Sequence, residues 1–355
     1  MDRNRERAFD LSVVIASYDS APWLPSTLDA LQAALSRSSM LTEVVVVDDG
    51  STDNSGEVLE AIASRYEHEL RVLRQENKGR FLARWAGVEA ARGRFVLLLD
   101  SRVLVEPEAI VYLEVTLERH PQRDMWNGHV STDAAAPLVG RFWEVPTHAF
   151  WSSYLREPRR FEITSENFDR VPKGTGFFFA PRELFRTALL KAWPEGDARL
   201  VSDDTRVLRE LVSLGNIILD PGFAAIYRPR VTLQGFLRHA RDRGTLFVDS
   251  YAGTTVFRSC VILALVVAPV LLVATLATFA GLQLWVWLFA TLGVTIAAAL
   301  VPAVVAAINN APRRALVSYL VFLVPFTVCF WLGLARGVAL HRKAFLPSAA
   351  RQTGK

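Results

Sequence analysis

Five carboxylates stand at places where an α/β chain does its chemistry. Asp48 and Asp49 close the apolar run EVVVVDD (Glu43–Asp49), Asp100 closes RFVLLLD (Arg94–Asp100), and Asp203 and Asp204 open the helical pattern of LVSDDTRVLREL (Leu200–Leu211). Carboxylates so placed can accept hydrogen bonds from a ligand, hold a hard cation, or take a proton as a bond forms. Each also has a plainer use. Asp48 to Asp53, DDGSTD, suits a strand–turn–helix junction: Gly50 permits the turn and Ser51 to Ser55 offer cap oxygens. Asp203 and Asp204 suit the positive end of a helix dipole.

The elements around these acids place them together. LSVVIAS (Leu11–Ser17), EVVVVDD, LRVLRQ (Leu70–Gln75) and RFVLLLD are apolar enough to be strands buried on both faces. Helical patterns near Pro25–Arg37, Ser55–Tyr66 and Phe81–Ala91 separate them. Strands alternating with helices predict a mainly parallel, Rossmann-like sheet covered on both sides. Ligands of such sheets bind outside the carboxyl ends of the strands, where Asp48, Asp49 and Asp100 stand.

Four blocks, VVIASYDSAPWLPSTLDAL, VVVVDDGSTDNS, ENKGRFLARWAGVEAARGRFVLLLDS and GTGFFFAPRELF, occur in this order between about Leu11 and Gly222. Together they resemble the family-2 inverting glycosyltransferases, which have the GT-A fold and use nucleotide-sugar donors. The resemblance implies that Ala16, Ser17 and Tyr18 line the nucleoside pocket. Asp49 would accept from the base and Asp48 would support the turn. Asn77, Lys78 and Gly79 would approach the nucleotide, and Arg84 would pack on the pocket floor. Lys78 is equally a solvated loop lysine or a phosphate contact.

One position departs from the family. Its fourth strand usually ends in Asp-x-Asp, which holds a divalent cation (Mg²⁺ or Mn²⁺) against the diphosphate; here the chain has Asp100-Ser101-Arg102. A guanidinium cannot ligate a cation and repels one nearby. Three outcomes stay open. Arg102, with Lys78, neutralises the diphosphate through charge-assisted hydrogen bonds; or Asp100 alone anchors the metal while Arg102 pairs with Glu106; or catalysis has been lost.

Inverting transfer needs a base to take the acceptor's proton as its hydroxyl attacks the anomeric carbon. The family has a Glu-Asp pair whose Asp is that base, and Asp204 matches it, with Asp203 in the Glu place. PKGTGFFFAPREL (Pro172–Leu184) resembles the segment beneath the acceptor; Gly174, Thr175 and Gly176 would lie on that side. The six histidines have no metal-ligand spacing.

A net charge of +4 comes without a concentrated basic face before about Arg228, which argues against nucleic acid as a partner. From Leu233 to Tyr251, Leu233, Leu237, Ala240, Gly244, Phe247 and Tyr251, with Phe236 and Val248 beside them, fall on one helical face, with Arg238, Arg241 and Arg243 off it. That pattern suits either an interface helix meeting headgroups or phosphate, or a core helix over the sheet. From Ser259 to Ile308 there is no Asp, Glu, Lys, Arg or His, enough chain for two crossings of a bilayer. Cys260 and Cys329 fall in apolar segments, where they pack.

The expected organisation is a charged tail (1–10), a GT-A domain (11–230), a basic interface helix and linker (231–257), a membrane region (258–337) with helices at 261–280, 284–307 and 315–335, and a basic tail (338–355). The charged N-terminus lacks an apolar run, so no signal peptide is expected and the domain should stay cytoplasmic at the inner or plasma membrane. Arg258, Arg313 and Arg314 obey the positive-inside rule; Arg336, His341, Arg342 and Lys343 break it if the third helix crosses. Either the tail is an exception or the last segment is re-entrant. The expected function is transfer of a sugar from a nucleotide-sugar donor to a membrane-associated acceptor, a polyprenyl phosphate or a lipid-linked glycan, with other proteins of a biosynthetic complex as partners. The competing expectation is a non-catalytic, nucleotide-sugar-binding subunit of a membrane assembly.

Overall fold

Strands β1 (Leu11–Ser17) and β2 (Thr42–Asp48) are nearly continuous runs of buried aliphatics, as strands covered on both faces must be. Helix α1 (Leu24–Leu35) connects them, and α2 (Ser55–Ala63) leads from β2 to β3 (Glu69–Arg74). After α3 (Arg80–Ala90) comes β4 (Phe95–Asp100), and β1 pairs in parallel with both β2 and β4. The expected boundaries hold to within a few residues. β3 corrects one expectation: among the described residues it pairs with β2 alone and is half-exposed, because it lies at one edge of the sheet. These elements come from a computed structural model that describes residues 9–194, 196–202 and 204–345.

Beyond β4 follow the short β5 (Val103–Val105), α4 (Ala109–Arg119) and β6 (Trp126–Thr132). The chain then makes an excursion through α5 (Glu144–Phe150) and α6 (Ser152–Leu155). It returns as β7 (Phe161–Ile163), β8 (Phe177–Pro181), α7 (Arg182–Lys191), α8 (Thr205–Leu214) and β9 (Ile217–Tyr227). Among the described residues, nine strands make one sheet in the order β3-β2-β1-β4-β8-β6-β9-β5, with β7 on β9. The four N-terminal strands are parallel; β8 runs antiparallel to both β4 and β6, so the whole sheet is mixed. That pairing of β4 with β8 brings Leu99 opposite Phe177 and so sets Asp100 beside Gly176.

The chain divides into two compact units: Met1–Ala135 with Glu157–Pro229, and Ala136–Arg156 with Arg230–Lys355. The excursion 136–156 belongs to the second unit, which the sequence did not suggest. Within that unit Phe142 packs on Phe236, Tyr319 and Phe326, and the Ser318 hydroxyl donates to Leu138 O at 2.5 Å. Helix α9 (Leu233–Tyr251) is capped by Thr232 and buries Phe236, Ala240, Gly244 and Val248. Leu233, at the start of the helix, is exposed, while Ala240 and Gly244 of the expected face are buried together with the flanking Phe236 and Val248. Helices α10 (Val256–Gly281), α11 (Trp285–Ile308) and α12 (Arg313–Leu340) are each long and apolar enough to cross a membrane.

Candidate active site

The carboxyl ends of β1 and β2 are laced together by short polar side chains. Asp49 N donates to Ser17 O at 2.8 Å, and Asp48 Oδ1 accepts from Ser51 N at 3.1 Å. Asp19 Oδ1 takes the Thr52 amide at 2.7 Å, while Ser55 Oγ accepts from Ser20 N at 2.9 Å. Asp53 caps the junction, accepting from the amides of Ala21 and Ser55. Burial works against its charge, but hydrogen bonds from the Ser55 hydroxyl and from these amides outweigh it and hold its carboxyl below the ordinary Asp range. Asp48 thus holds the turn through the Ser51 amide.

Asp49 is buried, and its carboxylate accepts from Gln75 Nε2 at 2.6 Å and from the amides of Lys78 and Gly79, both at 2.9 Å. These three donors tie the carboxylate to the loop 75–79. Gly50 and Gly79 both have positive φ, and a Cβ would meet Asn77 N at 2.6 Å in one case and the Arg199 backbone at 2.8 Å in the other. Only glycine therefore lets the three loops close on one another. An open cleft of ≈ 340 Å³ lies over this corner, lined by Asn77, Lys78, Leu82, Trp193, Asp197 and Arg199. Ala16 and Ser17 end β1 beneath the turn, and the Tyr18 side chain is about half exposed.

A second corner forms where β4 meets β8. Asp100 N donates to Gly176 O at 2.8 Å. Thr175 is fully buried, and its amide and hydroxyl both donate to Asp204 Oδ1, the amide at 3.2 Å. Arg84, itself buried, bonds Thr175 Oγ1 and reaches Asp204 Oδ1 at 3.4 Å. Asp204 occupies the N-cap position of α8 yet makes no capping hydrogen bond. Its carboxylate is instead drawn to Thr175 and Arg84. The expectation for Asp203 lies outside the described residues. Gly176 abuts Asp100, whereas Gly174 faces open space, its amide held at 2.9 Å by Asn127 Oδ1.

At the strand end itself, Arg102 N donates to Asp100 Oδ1 at 3.2 Å, but the Arg102 guanidinium lies on the Trp23 ring, 4.2 Å from its centroid, with Nη1 3.4 Å from Arg228 O. Arg80 Nη1 stands 3.8 Å from Asp100 Oδ2. Ser101 Oγ shares a 2.9 Å hydrogen bond with Ser20 Oγ. One carboxylate with an arginine beside it is a poor donor set for Mg²⁺ or Mn²⁺, which take several oxygen ligands. The described residues here do not fit a cation, and no catalytic step is assigned to one.

Several residues had not been singled out. Arg228 donates to Trp23 O at 3.0 Å and to Thr27 Oγ1, and its guanidinium also lies over Trp23. Burial pulls its pKa down, against the pull of Asp133 and Asp100. Thr27 sits in a stretch whose helical pattern alone explains it, and Trp23 and Arg80 fall just before such stretches. Arg238, Arg241 and Arg243 lie on α9 in the second unit.

Residues 12–185 match the model of Glycosyl transferase family 2. The chain carries a family-2 glycosyltransferase domain. The segment with β1–β4 and β8 is thus the family's own. Among relatives, an undecaprenyl-phosphate 4-deoxy-4-formamido-L-arabinose transferase of Aeromonas hydrophila is 38% identical over 166 residues, 43% of this chain and 50% of that protein. Glycosyltransferase GlyG of Streptococcus pneumoniae is 35% identical over 101 residues, 28% of this chain and 32% of its own. The glycosyltransferase YibD of Escherichia coli is 34% identical over 138 residues, 39% and 38%. The chain therefore spans half or less of these relatives' length. A crystal structure of Staphylococcus aureus TarS overlaps with a TM-score of 0.44 at 18% identity, covering 68% of this chain and 66% of that one.

Proposed function

We propose that this protein is an inverting glycosyltransferase that moves a sugar from a nucleotide-sugar donor to a polyprenyl phosphate or a lipid-linked glycan at a membrane. The observation that carries the reading is Asp204: a carboxylate at a helix start that leaves the cap unused and turns toward Thr175, Arg84 and, through Gly176, Asp100. The donor would lie across the 75–79 loop with its diphosphate toward Arg80. The acceptor oxygen attacks the anomeric carbon as the bond to the diphosphate breaks. The nucleoside diphosphate leaves with that electron pair, and Asp204 takes the acceptor's proton. The Aeromonas hydrophila relative is named as an undecaprenyl-phosphate transferase, which supports a lipid acceptor, and the three apolar helices support a membrane location.

The two acceptor classes ask different things of Asp204. A sugar hydroxyl must lose its proton during attack, whereas a phosphate monoester is mostly ionised at neutral pH, with a second pKa near 6. Asp204→Asn should then cost about 10²–10⁴-fold in turnover with a glycan acceptor. With a polyprenyl phosphate acceptor it should cost much less. Transfer assays with both acceptors, alongside donor titration by calorimetry, test this. A variant that transfers at the parent rate to every acceptor would remove Asp204 from the mechanism. A parent protein that binds no nucleotide sugar would favour the non-catalytic subunit.

A further inference from the structure

The second unit contains a contradiction between hydropathy and position. Helices α10 and α11 are joined by Leu282–Leu284 alone, so they return alongside each other as a hairpin. The start of α10 and the end of α11 therefore share one side of any bilayer the hairpin crosses. Helix α12 begins at Arg313, directly after α11 ends at Ile308. If α12 crossed in turn, its far end would be separated from the start of α10 by about 30 Å of hydrocarbon. Instead His341 Nδ1 stands 3.7 Å from Asp249 Oδ1, seven residues before α10 begins at Val256. Ala252 and Ile262 pack in one cluster with Leu334, Val338, Ala344 and Phe345.

Two hydrogen bonds give the direction of the helix. Tyr319 Oη donates to Ala299 O and Trp331 Nε1 to Val266 O, both at 2.9 Å. Ala299 lies 14 residues after Trp285, and Val266 lies 15 residues before Gly281. Both carbonyls are thus about 21–23 Å from the hairpin turn, while Tyr319 and Trp331 are about 18 Å apart along α12, at 1.5 Å per residue. A helix that touches both arms at one depth runs across the hairpin, not along it. Charge agrees. Gly244 of α9 packs against the backbone of Phe330, Gly333 and Leu334, and Thr245 Oγ1 donates to Gly333 O at 3.1 Å. A spanning α12 would carry the neighbouring Arg238, Arg241, Asp242 and Arg243 into hydrocarbon, where charges are rare and costly.

We infer that α12 is not a third crossing but a transverse helix lying in one leaflet, with both of its ends on the side from which α10 enters. Its partner is the lipid itself. Val317, Leu320, Val321, Val324, Val328 and Leu332 form an exposed stripe at helical spacing, suited to acyl chains. Arg313, Arg314, Arg336, Arg342 and Lys343 then all meet headgroups of one leaflet, and the positive-inside anomaly disappears. Single cysteines at Thr254, Gln283 and Lys343, in the full chain with Cys260→Ser and Cys329→Ser, would be probed with a membrane-impermeant maleimide in spheroplasts and in inverted vesicles. Thr254→Cys and Lys343→Cys should label from one side and Gln283→Cys from the other. Labelling of Lys343→Cys together with Gln283→Cys would overturn the inference. A protease-cleavable C-terminal tag reports the same side independently, should the Lys343→Cys variant fold poorly. Its cleavage from the Gln283 side would equally overturn it.

Discussion

The two corners of the carboxyl edge use the same residue types to opposite ends. At the β1–β2 corner, acids are consumed by their own backbone: Asp48, Asp49, Asp19 and Asp53 each accept amides from neighbouring loops. At the β4–β8 corner, Asp204 declines the backbone amides of its own helix and meets a buried threonine and a buried arginine. Asp100 there faces Arg80. The first corner builds a rigid floor for a ligand; the second presents charge to it. An acid's role follows from which donors reach it, not from its place at a strand end.

Mutations should separate the corners. Asp204→Asn, isosteric, should give the largest loss, the 10²–10⁴-fold in turnover with a hydroxyl acceptor, with little change in thermal midpoint. Asp49→Ala should do the reverse. It strands the Gln75, Lys78 and Gly79 donors and should destabilise the domain by about 1–3 kcal/mol, seen in denaturant melts, with donor affinity falling as the 75–79 loop loosens. Equal losses of stability in both variants would erase the distinction.

Within the second corner, the two arginines near Asp100 should differ. Arg80→Ala is expected to weaken nucleotide-sugar binding about tenfold, roughly 1.4 kcal/mol, because its guanidinium stands 3.8 Å from the Asp100 carboxylate at the strand end. Arg102→Ala should mainly remove the stack on Trp23, about 0.5–1 kcal/mol of stability. Calorimetry with and without EDTA completes the test: binding that appears only with Mn²⁺ would restore Asp100 as a metal ligand.

The smallest expected effect is a pH dependence at the first corner. Asp53's carboxyl titrates lower in the folded chain than in the unfolded one, so the folded state favours its charged form. Its contribution is present above the unfolded pKa, about 3.9, and is lost as pH falls through the lower folded value. The stability gap between parent and Asp53→Asn should therefore be widest near neutrality and close below about pH 4. A gap that stays constant with pH would deny the linkage.

Much of this was legible in the chain. β1, β2 and β4 are apolar runs with too few polar residues to be anything but buried, and DDGSTD announces a turn wherever it lies. The acids could be located, but not told apart. Asp49 also holds a loop, which the sequence could not show, because the donors that reach it come from residues 75–79, some 26 to 30 positions away. Arg80, Trp23 and Arg228 gave no signal, since a helical arginine or an aromatic near a proline fits a surface pattern equally well.

By itself, then, the sequence determined the element order, the N-terminal parallel sheet and the apolar character of α10 to α12, because hydrophobic periodicity and turn chemistry are local. The tertiary structure alone decided that β8 inserts beside β4 and so joins Asp100 to Thr175 and Asp204, and that residues 136–156 pack with the second unit. It also decided that α12 returns to the start of α10. Hydropathy records how much apolar surface a helix must bury, whereas the direction in which it lies depends on contacts such as Tyr319 with Ala299 and Trp331 with Val266, which join residues 20 and 65 positions apart.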